Sequence, residues 1–167
     1  MENRYLYKAK RLDNGEWVIG YWAVIGERNV IVEECAKTYY CSDTGEFRHG
    51  NQIHEVNPKT ICQCTGLKDK NEKIIFENDI LMNHDNTEEL AKAVFGEFPV
   101  INIETETATD MVIGWHYEVI PTDAISKCEP FCYAMPLTDR YIDQCNMKVV
   151  GNVFDSRITL KAQEGDL

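Results

Sequence analysis

The pattern of apolar and polar positions predicts short strands along most of the chain. Apolar residues occur in brief runs that are separated by turn residues such as Gly, Asn and Asp, which is typical of β-strands and hairpins. The first predicted element is a hairpin over residues 4–25. It turns at Asn14-Gly15, because Asn-Gly favours a type I′ turn, in which both central residues need a positive φ. Further strands are predicted at residues 30–32, 74–76, 80–82, 98–104, 111–120 and 147–154.

The outgoing strand of this hairpin is apolar on both faces, with Trp17, Ile19 and Tyr21 on one side and Val18, Trp22 and Val24 on the other. A strand of this kind lies inside a sandwich or barrel, or has one face covered by a partner chain. We favour the core for Trp17 and Trp22. The alternative is a subunit interface that includes Trp17, Tyr21 and Trp22, because exposed aromatic residues mark such surfaces.

One helix interrupts the predicted strands. Residues 86–95 offer Thr87 as an N-cap, acidic residues in the first turn and Gly96 just past the end, which together favour a short helix. A bulge is predicted at Gly114, since a glycine inside a strand often marks one. Prolines make residues 121–139 loop-like, and the tail from residue 161 is expected to fray.

The densest run of turn residues lies between Cys62 and Leu81. Thr65-Gly66 predicts a bend, residues 69–72 the tip of a hairpin, and residues 77–79 a second bend. The run lacks the glycine and terminal glutamate of a calcium loop, and it matches no phosphate-loop or nucleophile motif. Its carboxylates could line a pocket, but a carboxylate beside a turn usually accepts hydrogen bonds from backbone amides.

Length and charge narrow the range of possible functions further. The chain has 167 residues and a formal net charge of −11, so it fits one domain or two small modules that share a core. Direct binding to nucleic acid is not expected, because phosphate neutralisation needs clustered Lys and Arg. In the simplest interpretation, the negative charge keeps the protein soluble. The alternative is that the protein imitates nucleic acid and so binds a DNA-binding partner.

Seven cysteines occur without a recognisable secretory signal or a membrane-length apolar run, which favours reduced thiols in a cytoplasm. Neither Cys62-x-Cys64 nor Cys128-x3-Cys132 has zinc-site spacing, so we expect buried thiols that act as small hydrophobic groups. The four histidines are scattered and no catalytic motif is present. We therefore expect no catalytic residue, no metal and no cofactor, although a Cys-His pair assembled in space stays open.

The run from Thr65 to Asn71, followed by Lys73 to Ile80, closely resembles the signature of the YopX family of phage and prophage proteins. The hairpin around Asn14-Gly15 and the segment 149–155 resemble the opening and closing strands of that family. The sequence departs from the family pattern in two places. Glu72 stands where the family usually has glycine, and residues 83–145 resemble the family less.

The resemblance implies a β-rich fold that contains an SH3-like barrel, often assembled from several subunits, and a family without an established activity. It also implies a mobile-element origin. The residues that carry it are expected to be structural, with partner contact as a second role. They are Thr65, Gly66, Leu67, Lys68, Asp69, Lys70, Asn71, Phe76, Glu77, Asn78, Asp79, Ile80, Gly151 and Asn152.

We therefore expect a mainly β protein with an N-terminal β-hairpin module at 1–60, and an SH3-like β-barrel module at 61–160 with a variable insertion at about 83–145. We also expect one or two short helices and a flexible tail at 161–167. The alternative to two modules is one integrated domain over 1–160. The expected function is that of a non-enzymatic phage or prophage accessory protein in the host cytoplasm, without membrane contact. It would associate with itself as a homo-oligomer and bind a host or phage protein. An acidic nucleic-acid mimic that inhibits defence or regulation is the second hypothesis, and an enzyme with a loop-built site the third.

Overall fold

A computed structural model describes residues 5–33, 38–43, 45–49, 52–102, 104–105, 107–121 and 134–155. The fold is mainly β, as the sequence predicted. The strands are β1 (Tyr7–Lys10), β2 (Trp17–Ile25), β3 (Arg28–Glu33), β4 (Thr38–Cys41), β5 (Glu46–His49), β6 (Gln52–Glu55), β7 (Cys62–Lys68), β8 (Ile74–Phe76), β9 (Asp79–Met82), β10 (Leu90–Asn102), β11 (Thr107–Val119), β12 (Met135–Pro136) and β13 (Lys148–Asn152). The helical elements are a 3₁₀ turn at Pro58–Thr60 and the helix α1 at Asp139–Gln144.

The chain divides into two compact units, Met1–Cys64 and Thr65–Leu167. In the first unit, antiparallel strands follow the order β6-β3-β2-β1, and β1 also pairs with the start of β7. The core of this unit consists of Ala9, Val18, Ile31 and Val56. The 3₁₀ turn supports its edge, since the Thr60 hydroxyl accepts a 2.9 Å hydrogen bond from the backbone N–H of Lys10.

The hairpin between β1 and β2 is confirmed, but the predicted type I′ turn is wrong. The backbone N–H of Arg11 bonds the Glu16 carbonyl across a four-residue loop, and in that loop Gly15 alone has a positive φ, 74°. The Asn14 side chain instead accepts a 3.0 Å bond from the Glu16 N–H. An asparagine that bonds a nearby amide in this way stabilises a longer turn without entering the left-handed region.

The core position favoured for Trp22 is also wrong, because 42% of this residue is exposed. Trp17 is half-buried, and the expected burial on both faces of β2 is wrong: Val18 and Gly20 are buried on one face, while Ile19 and Tyr21 on the other face are exposed. Farther along the strand, exposure reaches 44% at Tyr21 and 58% at Val24. The apolar character of β2 therefore extends beyond the core that it helps to build.

In the second unit, strands follow the order β12-β11-β10-β9-β13. Its core is larger than that of the first unit and draws on strands, loops and α1. The buried members are Ile75, Leu81, Ala91, Ala93, Tyr117, Leu137, Ile142 and Met147. The helix begins at Thr138, whose hydroxyl accepts a bond from the Tyr141 N–H, an N-cap arrangement.

The helix predicted at residues 86–95 is wrong. Residues 86–89 form a turn, and β10 begins at Leu90, pairing first with β9 and along its whole length with β11. Ala91 and Ala93 are buried while the alternating positions face the other side, so the segment follows a two-residue period. Pairing on both sides outweighs helix caps worth about 1 kcal/mol each.

The predicted bulge at Gly114 is likewise misplaced. Gly114 lies directly opposite Gly96, and the register shifts between Val100 and Ile101. A predicted loop at 121–139 is partly replaced by β12 and by the start of α1, while residues 122–133 and the tail from 161 lie outside the described residues. In the part of the chain that the structure describes, each strand order is linear and has two ends. The SH3-like barrel and the module limits at 60 and 160 therefore stay predictions.

Candidate functional site

Asp69 organises the first turn of the signature run. Its carboxylate is 3% exposed and accepts hydrogen bonds from the backbone N–H groups of Asn71 at 2.7 Å, Lys73 at 2.9 Å and Val149 at 2.9 Å. The first two bonds close the turn, and the third ties the turn to β13. Lys70 adds a backbone bond to the Met147 carbonyl. The carboxylate is therefore engaged by backbone amides, as expected for an acidic residue beside a turn.

The tip of this turn carries backbone strain at Glu72, whose φ is 63°. Residues other than glycine rarely adopt this left-handed conformation, which costs about 1–2 kcal/mol. Glycine, which the YopX-like signature usually has here, adopts it freely. The Glu72 side chain forms an exposed 2.7 Å ion pair with Lys68.

A second set of hydrogen bonds joins the bend at residues 77–79 to the end of β13; we call this set and the Asp69 set the two brackets. Asp79 accepts a 2.8 Å bond from the Phe76 N–H and a 3.0 Å bond from the Asn152 side-chain amide. Asn152 also donates to the Glu77 carbonyl and accepts from the Phe154 N–H. Asn78, at the top of the bend, has a φ of 61°. The structure thus brings together signature residues that are 73 positions apart in the sequence.

The remaining signature residues fill supporting positions. The Thr65 hydroxyl donates to the Ile75 carbonyl at 2.8 Å and accepts from the Leu67 N–H. Gly66 is exposed and has a φ of 83°. Leu67 packs against the core, Ile80 is buried within β9, and Gly151 pairs with Ile80.

A polar groove of about 380 Å³ opens beside the signature turn. Charged side chains from the turn form one wall, and the acidic residues of α1 form the other. The lining residues are Gly66, Lys68, Asp69, Lys70, Glu72, Asp139, Ile142 and Asp143. The groove mixes both signs of charge and holds little apolar surface, which fits a contact with a polar partner better than a small-molecule pocket.

The sequence model of the YopX family, described as YopX protein, matches residues 21–161. The chain belongs to the YopX family. The match covers both brackets, the groove and β13, so the resemblance seen in the sequence is confirmed. A comparison with curated proteins gave no match.

In the part of this YopX family member that the structure describes, the thiols of Cys62, Cys64 and Cys145 and the ring of His84 lie in packed or hydrogen-bonded positions. Cys62 and Cys64 are buried on one face of β7. Burial, with a contribution from Glu89, raises the pKa of Cys145, whereas a nucleophilic cysteine needs a lowered pKa. The hydrogen bond from His84, 2.7 Å away, holds the pKa of Glu89 below its ordinary value.

His116, one of the four histidines that the sequence analysis described as scattered, is a buried polar residue. It is 2% exposed, its ring stacks on Phe98 with centroids 4.6 Å apart, and its Nε2 lies 3.7 Å from a Glu118 oxygen. The sequence signal was its position in an otherwise apolar strand, between Trp115 and Tyr117. The rings lie over the facing glycines: a Cβ atom added at Gly96 would be 3.7 Å from the His116 ring, and one added at Gly114 would be 4.0 Å from the Phe98 ring.

Within the described residues, no group of three or more His, Cys, Asp or Glu side chains is placed to hold a metal ion. Across the same ranges, no helix is both long and apolar enough to cross a membrane.

Proposed function

We propose that this YopX family member is a non-enzymatic phage or prophage accessory protein that acts in the host cytoplasm as a self-associating binding module. The observation that carries the proposal is the exposed apolar surface of β2. On one face of β2, Ile19, Tyr21 and Ile25 are each at least 44% exposed, and on the opposite face Trp22 and Val24 are at least 42% exposed. Contiguous exposed apolar surface is a mark of protein contact sites.

A non-enzymatic role is supported by how the signature is used. The Asp69 and Asp79 carboxylates accept bonds from backbone amides and from Asn152. A general acid or base must instead reach a reacting proton on a substrate. The polar groove beside Asp69 supports contact with a host or phage protein, and the signature residues on its wall are proposed as part of that contact.

Light scattering on the purified full chain tests self-association. We expect a defined oligomer for the wild type and a smaller species for Ile19→Ser or Tyr21→Ser, which alter the same face of β2. Leu12→Ser is the matched control, because Leu12 is 58% exposed in the hairpin loop. A wild type that stays monomeric at high concentration would contradict the proposal.

The acidity supports a second candidate function, a nucleic-acid mimic that inhibits a DNA-binding protein. The formal net charge is −11, and exposed carboxylates follow β10 and β11 at Glu97, Glu104 and Asp110. A mimic should displace DNA from a cationic DNA-binding protein, with an affinity that falls steeply as salt increases. Capture of host proteins during phage growth, followed by such a competition assay, separates the two candidates: a partner that does not bind DNA would count against mimicry.

A further inference from the structure

The far parts of β10 and β11 form a two-stranded arm, defined by residues 95–102 and 107–115. The two strands pair with each other throughout. However, β9 reaches only Leu90–Lys92 of β10, and β12 reaches only His116 and Tyr117 of β11. Among the described residues, no third strand pairs with the arm. Isolated two-stranded hairpins are marginally stable in water, so an arm of this length favours a contact that covers it.

One face of the arm carries an apolar strip, made of Phe95, Pro99, Met111, Ile113 and Trp115. Cross-strand pairing places Phe95 opposite Trp115 and Pro99 opposite Met111, so these side chains share a face with the core residues Ala93 and Tyr117. Trp115 is half-buried, whereas Phe95, Met111 and Ile113 are 52%, 51% and 74% exposed. The strip is thus a continuation of the core into solvent.

One acidic residue, Glu97, lies on the same face of the arm as the strip. Glu97 lies opposite Ile113, between the aromatic pair at the base and Met111 farther out. No lysine or arginine occurs anywhere from residue 93 to residue 119. The arm therefore offers apolar surface together with negative charge.

The first unit offers an apolar surface with the opposite charge, which we call the β2 patch: Lys8, Lys10, Trp17, Ile19, Tyr21 and Ile53. Alternation along β2 places Trp17, Ile19 and Tyr21 on one face, and pairing places Lys10 opposite Trp17 and Lys8 opposite Ile19. The Lys8 and Lys10 ammonium groups lie 4.7 and 5.3 Å from the centre of the Trp17 ring. Ile53 joins the patch through Val32.

We propose that the apolar strip of the arm in one copy of this chain docks on the β2 patch of a second copy, which makes the self-association proposed above head-to-tail. The charges favour this pairing. Contact between two arms would bring Glu97 against Glu97, and contact between two β2 patches would bring lysines against lysines, whereas arm on patch brings Glu97 toward Lys8 and Lys10. Like charges across an interface are unfavourable and opposite charges set its specificity.

A head-to-tail contact uses the arm of one copy and the patch of the other, so a pair of copies keeps one free arm and one free patch for further neighbours. This property permits a decisive mixing experiment. The arm variant Ile113→Lys removes apolar contact and adds a cation facing the patch, and the patch variant Ile19→Asp removes apolar contact and adds an anion facing the arm. Each alters an exposed strand position, and circular dichroism with urea unfolding checks that each remains folded.

We expect each variant alone to lose self-association, with its dissociation constant raised at least about 30-fold. An equimolar mixture of the two should recover heterodimers by light scattering, since an intact arm from the patch variant meets an intact patch from the arm variant. Val150→Lys, at a position 46% exposed on β13, should assemble like the wild type. If either variant unfolds, Met111→Lys replaces the arm variant and Tyr21→Asp the patch variant.

Other results overturn the inference in distinguishable ways. If the arm variant fails to assemble while the patch variant assembles normally, the contact joins arm to arm; the reverse result indicates patch to patch. If both variants assemble like the wild type, another surface makes the oligomer and the proposed function survives without this interface. A monomeric wild type removes the proposed function itself.

Discussion

The carboxylate of Asp69 accepts a hydrogen bond from the backbone N–H of Val149, 2.9 Å away and 80 residues later in the sequence. Together with the bonds from Asn71 and Lys73, it makes Asp69 the link between the signature turn and the closing strand β13. The turn and the strand that mark the family are therefore joined by one set of hydrogen bonds. This explains physically why both occur in the signature.

Replacing Asp69 by Ala should lower the free energy of unfolding by about 3 kcal/mol, because three backbone N–H groups lose a charged acceptor in a buried position. Urea unfolding followed by circular dichroism measures the loss. Asp69→Asn, which keeps one acceptor oxygen, should lie between the wild type and the Ala variant. Asp143→Ala removes an exposed carboxylate from the other wall of the groove and serves as the control. A loss below about 1 kcal/mol for Asp69→Ala would show that the bracket does not stabilise the fold.

Glu72→Gly should raise the free energy of unfolding by about 0.5–1 kcal/mol. Glycine relieves the left-handed strain at this position, and the gain outweighs both the exposed ion pair with Lys68 and the greater freedom of glycine in the unfolded chain. Glu72→Ala is the matched control, since it removes the ion pair and keeps the strain, so its stability should be unchanged or slightly lower. Equal stabilities for the Gly and Ala variants would disprove strain at the turn.

Gly20→Ala should destabilise the first unit by about 3 kcal/mol or more, in the range of overpacked core sites. A Cβ atom at this position would stand 2.3 Å from the Val32 carbonyl oxygen and 2.9 Å from an Ile31 methyl group. The backbone of β3 would have to move to accommodate it, at a high cost in free energy. Gly15→Ala provides the comparison, because Gly15 has open space around it and only its positive φ is unfavourable for Ala. That variant should lose about 1 kcal/mol. Thermal unfolding of both variants ranks the two effects, and a smaller loss at Gly20 than at Gly15 would refute the packing argument.

Burial raises the pKa of Tyr117 from 10.0 to about 12, with smaller contributions from Cys145 and Tyr141. The folded state therefore holds the phenol proton more tightly than the unfolded state. The associated stability is fully present below pH 10 and is lost as the pH rises from about 10 to about 12, in total about 2–3 kcal/mol. Urea unfolding across this range should show the loss in the wild type beyond that in Tyr117→Phe, which has no phenol proton. Parallel pH profiles for the two proteins would contradict the raised pKa.

Turn chemistry was the part of this fold that sequence reasoning predicted best. The bend at Glu77-Asn78-Asp79 and the hairpin tip at Asp69–Glu72 lie where asparagine and aspartate indicated them. The bend predicted at Thr65-Gly66 is wrong, because both residues lie within β7, where Gly66 has a φ of 83°. These residues act through their own backbone angles and through side-chain bonds within a few positions. The expectation that acidic residues there bind backbone amides was correct for Asp69 and Asp79 for the same reason.

Residues 86–95 mark the limit of local reasoning. Their capping residues and Gly96 favoured a helix, yet β9 and β11 supply strand partners on both sides of β10. Trp22 marks a second limit, because apolar character indicated burial while the neighbouring strands leave it 42% exposed. The partner of Asp69 across the bracket could not be predicted either, since no local pattern connects it with Val149.

The amino-acid sequence by itself therefore determined the mainly β character, the positions of the signature bends and the family. Each of these depends on short-range conformational preferences or on residue identities that can be compared directly. Only the tertiary structure decided the strand at Leu90–Asn102, the exposure of β2 and of the arm, and the brackets that close on Val149 and Asn152. Those features depend on which segments meet across long stretches of chain, and the energy of that pairing exceeds the local preferences that a sequence pattern expresses.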